Sequence, residues 1–221
     1  MATLDRDTGR LVVRVAYDGP PLAGKTASLR ALGVETERTV TSFDEAYGRT
    51  LWFDWMHFRG GRFDGRPIEC ELAALPGQQG LAARRDVLLA DADVIVFVAD
   101  ASPQGHQRTV EAFRRLSPVL TGPRAPGLVV QANKQDLPGA LDAAALRRTL
   151  ALAEQVDVVE TVAADRVGIR HAFVFAIRAA VRRAEQIRRA TGTLPVGDGP
   201  RSPQQVLGRL QTVGQQREAQ A

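Results

Sequence analysis

The sequence predicts an α/β fold with a mostly parallel sheet and helices on both faces. Apolar, β-branched runs alternate along the chain with segments of helical spacing, and this alternation favours parallel strands joined by helices. Residues 94–99 form a continuous apolar run, which is typical of a strand buried on both faces. A glycine-rich turn follows the first predicted strand, at the edge of the sheet where ligands of such folds bind.

The individual elements are predicted as follows. The strands cover residues 11–17, 50–58, 68–75, 94–99, 128–130 and 156–162. The helices cover residues 27–32, 81–90, 107–120, 143–152 and 169–189. Gly60-Gly61 and Asp64-Gly65 indicate a hairpin turn, so the second and third strands form an antiparallel pair. Residues 33–48 are polar or β-branched without helical spacing, and we expect a loop there.

The length and composition suit one α/β domain with a tail. The chain has 221 residues, of which 44% are hydrophobic and 24% are charged. We expect residues 1–190 to form the domain, and the Gly/Pro-rich residues 191–221 to form a linker and a mostly disordered tail. The tail also carries an apolar stripe that could instead dock on the domain or on a partner, formed by Val206, Leu207, Leu210 and Val213.

Charge and targeting signals exclude little. The net charge of +4 could face an acidic partner, but an arginine-rich composition alone explains it, and no specific nucleic-acid binding is indicated. The single cysteine, Cys70, lies in an apolar stretch and suggests a buried thiol in a reducing compartment. No signal peptide or membrane-spanning run is visible, so a cytoplasmic protein is expected. The three histidines have no metal-ligand spacing.

The glycine-rich turn fits the pattern G-x-x-x-x-G-K-[ST] between a strand and a helix. Backbone N–H groups of such a loop hold a polyphosphate, with Lys25 reaching the β- and γ-phosphates and Thr26 binding Mg²⁺. The alternative is a chance glycine-rich turn before a helix. The expected nucleotide contacts are Gly19, Leu22, Ala23, Gly24, Lys25, Thr26 and Ala27.

A second motif, Asn133-Lys134-Gln135-Asp136, follows the strand at residues 128–130. Here the sequence resembles the small GTPases, whose N-K-x-D motif binds guanine. The Asp136 carboxylate can accept two hydrogen bonds from guanine that adenine cannot donate. The resemblance implies that Lys134 covers the base, that Asn133 joins the base loop to the phosphate loop, and that the Ala163 amide is a third contact. An ordinary turn is the alternative, because proline and glycine follow.

The phosphate loop and two further short motifs indicate a particular branch of the small GTPases. They are Gly19-Pro20-x-Leu22-x-Gly24-Lys25-Thr26, Arg49-Thr50-Leu51-x-Phe53-Asp54 and Pro76-Gly77-Gln78. Together they look like the bacterial MglA-type Ras-like GTPases, which control cell polarity and gliding motility, and the base motif also resembles the Arf branch. The resemblance spans residues 11–185. It implies the three-layer P-loop NTPase fold of small GTPases, with one antiparallel hairpin strand in a mostly parallel sheet.

The resemblance also implies roles in catalysis and regulation. Thr50 would contact Mg²⁺ and the γ-phosphate, Gln78 would orient the attacking water, and Arg49 would offset transition-state charge from within the chain. The alternatives are a strand-edge threonine and a solvated loop arginine. GTP and GDP are the implied ligands. An MglB-like roadblock dimer is the implied activator, with downstream effectors as further partners.

Two positions depart from the usual small-GTPase pattern. Ala74 stands where most members have the switch II aspartate that holds Mg²⁺ through water, although MglA-type proteins also lack it. Asp54 could replace it, or could be a strand aspartate satisfied by neighbouring backbone. Pro21 removes one N–H donor from the phosphate loop.

Two hypotheses about function follow: a GTPase switch, or a guanine-nucleotide-binding module with little hydrolysis. An ATP-dependent kinase or transport ATPase would leave the base motif unexplained.

Overall fold

A computed structural model describes residues 2–46, 49–74 and 82–218, and of residues 43–46, 49–52, 82–84, 211 and 213–218 it describes the backbone only. The strands are β1 (Thr3–Asp5), β2 (Leu11–Asp18), β3 (Val40–Ala46), β4 (Arg49–Phe63), β5 (Arg66–Ala74), β6 (Val94–Asp100), β7 (Gly127–Asn133), β8 (Asp157–Thr161) and β9 (Val196–Gly197). The helices are α1 (Lys25–Glu35), α2 (Ala82–Asp91), α3 (His106–Leu116), α4 (Ala143–Thr149), α5 (Ile169–Thr191) and α6 (Pro203–Glu218), and a short 3₁₀ helix covers Ser117–Leu120.

The strands form one sheet in the order β3-β4-β5-β2-β6-β7-β8, with β1 paired to β2. The ladders from β5 through β2, β6, β7 and β8 are parallel, whereas β4 is antiparallel to both β3 and β5. Helices α1 and α5 pack on one face of this sheet, and α2, α3, α4 and α6 pack on the other. The predicted α/β fold of a P-loop NTPase is confirmed.

The strand β6 shows why its sequence is continuously apolar. All of its residues are buried. Alternate side chains enter the two cores, Val96 on the side of α1 and α5, and Ile95 and Phe97 on the side of α2 and α3. Burying each such side chain stabilises the fold by about 1.5–3 kcal/mol. The strand can therefore lie only at the centre of the sheet, next to β2.

The predicted hairpin joins β4 to β5, with its turn at Asp64 and Gly65. Both residues have positive φ angles, 50° and 75°, as a tight two-residue turn between twisted strands requires. Gly60 and Gly61 were also expected to lie in the turn, but they do not. They lie within β4 at the register shift between Arg59 and Arg62, where the ladder is irregular.

The loop predicted for residues 33–48 is wrong in part. Helix α1 continues to Glu35, and Val40–Ala46 forms β3 at the edge of the sheet, where Ser42 pairs with Asp54 of β4. An edge strand gains its backbone bonds from one neighbour and needs no strong apolar alternation. Its polar residues therefore resemble a loop in the sequence.

The disordered tail predicted after residue 190 is also corrected where the structure describes it. The strand β9 pairs with β1, and α6 buries Val206 and Leu210 against the core beside α2. The apolar stripe thus docks on the domain, the option that the sequence had left open. The division of the chain at residue 190 remains a prediction. Across the described residues, no helix combines the length and apolar character needed to cross a membrane.

Candidate nucleotide site

The phosphate loop runs from the end of β2 to the start of α1, and two glycines fit their positions for steric reasons. Gly19 has φ 142°, and a Cβ there would lie 2.2 Å from the carbonyl oxygen of Val98. Gly24 has φ 102°, and a Cβ there would lie 2.4 Å from Nδ2 of Asn133. A larger residue at either position would disrupt the loop, because both the backbone conformation and the space demand glycine.

Lys25 opens α1 and is buried under the loop, with 7% of its surface exposed. Its ammonium donates to the carbonyl oxygens of Gly19 at 2.9 Å and Pro20 at 2.8 Å. Burial lowers the pKa of Lys25 to about 8, an effect that Asp18 opposes and Arg85 reinforces. A desolvated ammonium at this place is stabilised by incoming negative charge, as a polyphosphate would supply.

The other predicted phosphate contacts lie in the loop and in the first turn of α1. Thr26 and Ala27 are exposed, whereas Ala23 is buried. Leu22 has a positive φ of 64° and a side chain that is 78% exposed. The first N–H groups of a helix have no intrahelical acceptor, and the helix dipole adds positive potential there. Loop and helix start together therefore form a surface suited to an anion.

Asn133 joins three loops at the edge of the sheet. Its Nδ2 donates to the carbonyl oxygen of Ala23 at 2.8 Å. Its Oδ1 accepts from Oγ1 of Thr161 at 3.1 Å and from the backbone N of Ala163 at 2.9 Å. The side chain is buried, so these bonds are shielded from water. The structure thus brings together the phosphate loop, the base motif and the loop predicted as the third base contact.

Lys134 is held by an aspartate that sequence reasoning missed. Its backbone has φ 70°, and its Nζ donates to Oδ2 of Asp100 at 2.7 Å. Asp100 ends β6 with 1% of its surface exposed, and its Oδ1 accepts from the backbone N and Oγ of Ser102. Burial would raise the pKa of Asp100, but the bonds from Lys134 and Ser102 lower it overall. The Asp136 carboxylate nearby is exposed.

A second missed pair lies beneath the phosphate loop. The Asp18 carboxylate, 1% exposed, accepts from Nε of Arg85 at 2.9 Å and from its Nη2 at 2.5 Å. Arg85 belongs to α2, so this pair connects that helix to the residue before Gly19. An aspartate at the end of an apolar strand was a signal for Asp18. No sequence signal pointed to Arg85, because the two residues are 67 positions apart.

The remaining predicted catalytic residues are not placed in the site. Gln78 lies outside the described residues, and Arg49 and Thr50 are described only as backbone at the start of β4. Ala74 is buried at the end of β5, paired in register with Tyr17.

Asp54, the candidate replacement for the missing aspartate, is engaged elsewhere. Its Oδ1 accepts from Oγ of Ser42 at 2.6 Å and lies 3.6 Å from Nη2 of Arg30. The expected alternative was a strand aspartate satisfied by neighbouring backbone. The partners described here are instead the side chains of Ser42 and Arg30.

The comparisons with known proteins agree with this geometry. Residues 56–183 match the family model described as the ADP-ribosylation factor family. The chain is also 29% identical over 159 residues to "Mutual gliding-motility protein MglA" of Myxococcus xanthus (strain DK1622), which covers 68% of this chain and 81% of that protein. The family match contains the base motif, and the phosphate loop precedes it. The chain therefore belongs to the ADP-ribosylation factor family and is a small GTPase that resembles MglA.

Proposed function

We propose that the chain is a molecular switch that binds and hydrolyses GTP, and that its GTP- and GDP-bound states control partner binding. The observation that carries the proposal is a set of three hydrogen bonds at Asn133. Its Nδ2 donates to the phosphate loop, and its Oδ1 accepts from Thr161 and Ala163. A nucleotide bound across these loops would have its phosphates and its base held in one frame. Such preorganisation lowers the entropic cost of binding.

Base selection is assigned to Asp136. Its exposed carboxylate stands at the end of a loop that is fixed by Gln135, whose Nε2 donates to the carbonyl oxygens of Ala132 and Leu141 at 3.2 and 2.8 Å. Guanine offers two N–H donors to such a carboxylate, and adenine offers none in that arrangement. An acceptor left unpaired by the wrong base costs about 1–3 kcal/mol, and more when it is charged.

Mg²⁺ is expected with the nucleotide, and the residues present fit it in part. The Thr26 hydroxyl is exposed on the first turn of α1 and suits one ligand position, whereas the Ala74 methyl cannot serve as a ligand. Within residues 2–46, 49–74 and 82–218, no three His, Cys, Asp or Glu side chains form a metal site. The ligands of the ion would be the phosphates, Thr26 and, by resemblance, Thr50. When bound, Mg²⁺ neutralises charge on the β- and γ-phosphates.

Hydrolysis would proceed by in-line attack of water on the γ-phosphate. Lys25 stabilises phosphate charge, and Gln78 and Arg49 take the roles that the resemblance gives them, orienting water and offsetting transition-state charge. Intrinsic turnover is proposed to be slow, with an MglB-like roadblock dimer as the activator. Downstream effectors and a cytoplasmic location stay predictions.

The alternative is a guanine-nucleotide-binding module that hydrolyses little. One observation favours it: Ala74 is buried, with 3% of its surface exposed, and Asp54 beside it already binds Ser42. Neither Ala74 nor Asp54 is therefore assigned as a ligand of Mg²⁺, directly or through water. The two functions share the nucleotide site and differ only in turnover.

Binding and phosphate release by the purified chain test the proposal. We expect wild-type protein to bind GTP and release phosphate, and Lys25→Ala and Thr26→Asn to lower both while circular dichroism stays unchanged. Arg38→Ala, an exposed cation beyond α1, is the matched control and should behave as wild type. Normal GTP affinity and turnover in both variants would make the loop structural only. Binding without turnover, with and without a roadblock partner, would establish the alternative.

A further inference from the structure

The C-terminal segment, defined here as residues 193–218, is docked on the domain. The backbone N of Leu4 donates to the carbonyl oxygen of Pro195 at 2.8 Å, and that of Arg6 donates to Gly197 at 3.1 Å. Leu194 is buried beside them. The family match ends at residue 183, so this segment lies outside it. These contacts therefore join two parts of the chain that both lie outside the matched residues.

Arg201 joins the C-terminal segment to both β5 and α2. Its Nε and Nη2 donate to Oε2 of Glu71 at 3.0 and 2.9 Å, and its backbone N donates to Oε1 of Glu71 at 2.5 Å. Its Nη1 donates to Oδ2 of Asp91, the last residue of α2, at 2.8 Å. Only 17% of the Arg201 side chain is exposed, so solvent screens these pairs little.

Helix α6 adds apolar and charged contacts at the same end of α2. Val206 and Leu210 are 3% and 2% exposed and belong to the core that contains the apolar residues of α2. Arg209 also donates to Asp91. Burial would raise the pKa of Asp91, but the hydrogen bond from Arg209 and the charge of Arg201 lower it overall. The carboxyl end of α2 is thus held by two arginines and an apolar contact.

Nearer its start, α2 is joined to the base of the phosphate loop. The bidentate pair between Arg85 and Asp18 makes this connection, and Asp18 directly precedes Gly19. A displacement of α2 must alter this pair and the contacts of Asp91 with the C-terminal segment. Two sites are coupled when both of them shift the equilibrium position of the same element.

We propose that the C-terminal segment is an intramolecular regulator of nucleotide binding, coupled to the phosphate loop through α2. The inference rests on the proposed function, because it needs guanine nucleotides to bind at that loop. Arg201 stabilises the described position of α2, and we propose that GTP binding displaces that helix from this position. GTP therefore releases the segment, and the docked segment weakens GTP binding relative to GDP. Because coupling is reciprocal, the two effects have the same factor.

Amide hydrogen exchange of residues 206–210 measures release of the segment. We expect these amides to exchange about fivefold or more faster with a non-hydrolysable GTP analogue than with GDP. In Arg201→Gln, the ratio of the Kd for the analogue to the Kd for GDP should fall, by up to the same factor, because the variant weakens the docked state. Arg182→Gln is the matched control, since it removes an exposed ion pair with Asp157 of 3.3 Å that lies away from α2. It should leave the ratio unchanged.

The outcomes separate this inference from the proposed function. Equal or slower exchange with the analogue overturns the coupling, and so does an unchanged Kd ratio in Arg201→Gln. A wild-type chain that binds neither nucleotide overturns the proposed function, and the coupling with it. If Arg201→Gln does not fold, Arg209→Gln removes the more exposed contact of Asp91. That variant should lower the Kd ratio in the same direction by a smaller factor, and an unchanged ratio again overturns the coupling.

Discussion

At the scale of single residues, Asn133 joins the three loops of the candidate site. Its side chain uses both its donor and its acceptor, and it is 2% exposed. In Asn133→Ala, the Ala23 carbonyl and the Ala163 amide lose their partner, at about 1–3 kcal/mol for each buried group left unsatisfied. We expect a lower free energy of unfolding in urea and a weaker affinity for a fluorescent GDP analogue.

The control for Asn133→Ala is Arg147→Ala, which removes hydrogen bonds from α4 to the carbonyl oxygens of Ala153 and Val156, outside the three loops of the site. It should lower stability without a comparable loss of nucleotide affinity. Equal losses of affinity in the two variants would show that the bridge to the phosphate loop has no special role in binding.

Asp136 gives the second residue-scale prediction. Asp136→Asn replaces an acceptor by a group that can also donate, and xanthine carries an oxygen at C2 where guanine has an amino group. We therefore expect affinity for GDP to fall by at least about tenfold, and affinity for xanthosine diphosphate to rise, as isothermal titration would measure. A variant that retains full GDP preference would remove Asp136 from base recognition.

Arg49 gives the third prediction, which concerns rate rather than binding. Without an activator, Ras-type domains hydrolyse GTP at roughly 10⁻⁴ s⁻¹, and an arginine at the transition state adds about 10³–10⁵. If Arg49 is that arginine, Arg49→Ala abolishes activated turnover and leaves GTP affinity nearly intact, because the interaction exists mainly in the transition state. Gln78→Leu should act in the same way. An affinity loss equal to the rate loss would instead place Arg49 in ground-state binding.

The residues that sequence could predict are those whose neighbours in the chain determine their role. Gly19, Gly24 and Lys25 follow from a local motif between a strand and a helix, and the structure supplies the steric reason for both glycines. Asp100 and Asp18 were missed because their partners are 34 and 67 residues away. No local pattern encodes such pairs before the fold is known.

At the scale of elements, strands and helices whose apolar residues recur in a regular pattern could be predicted. Elements whose position depends on pairing with another part of the chain could not. The strand β6 is apolar throughout and was predicted almost to its ends. The edge strand β3 depends on backbone pairing with β4, which leaves little trace in side-chain type. Helix α6 has an apolar stripe, but its docking depends on Arg201 meeting Glu71 and Asp91, which lie far away in the sequence.

The element α2 provides a stability prediction. Asp18→Asn keeps the shape of the side chain but removes the charge that pairs with Arg85, so we expect a loss of about 1.5–3 kcal/mol in the free energy of unfolding. Asp86→Asn is the control, because that carboxylate is 60% exposed and lies 3.9 Å from the same guanidinium. It should change stability by less than about 1 kcal/mol. Equal effects in urea denaturation would contradict the anchoring of α2 through Asp18.

At the scale of the whole molecule, the alternation of strands and helices predicted the sheet, and the sheet brings the motifs together. The phosphate loop follows β2, the base motif begins at the end of β7, and the loop with Ala163 follows β8. These parallel strands end at one edge, so the motifs meet although more than a hundred residues separate the first from the second. The sequence could not predict how the C-terminal segment packs on that sheet.

We expect the three assembled loops to select a guanine nucleotide over other nucleotides. Competition for a bound fluorescent GDP analogue is the direct test of this selectivity. The purified full chain with Mg²⁺ is titrated with unlabelled GTP, GDP, ATP and UTP. We predict that GTP and GDP displace the analogue and that ATP and UTP bind more weakly by about 10²-fold or more, because only guanine satisfies Asp136. Displacement by ATP at the same concentration as by GTP would contradict it.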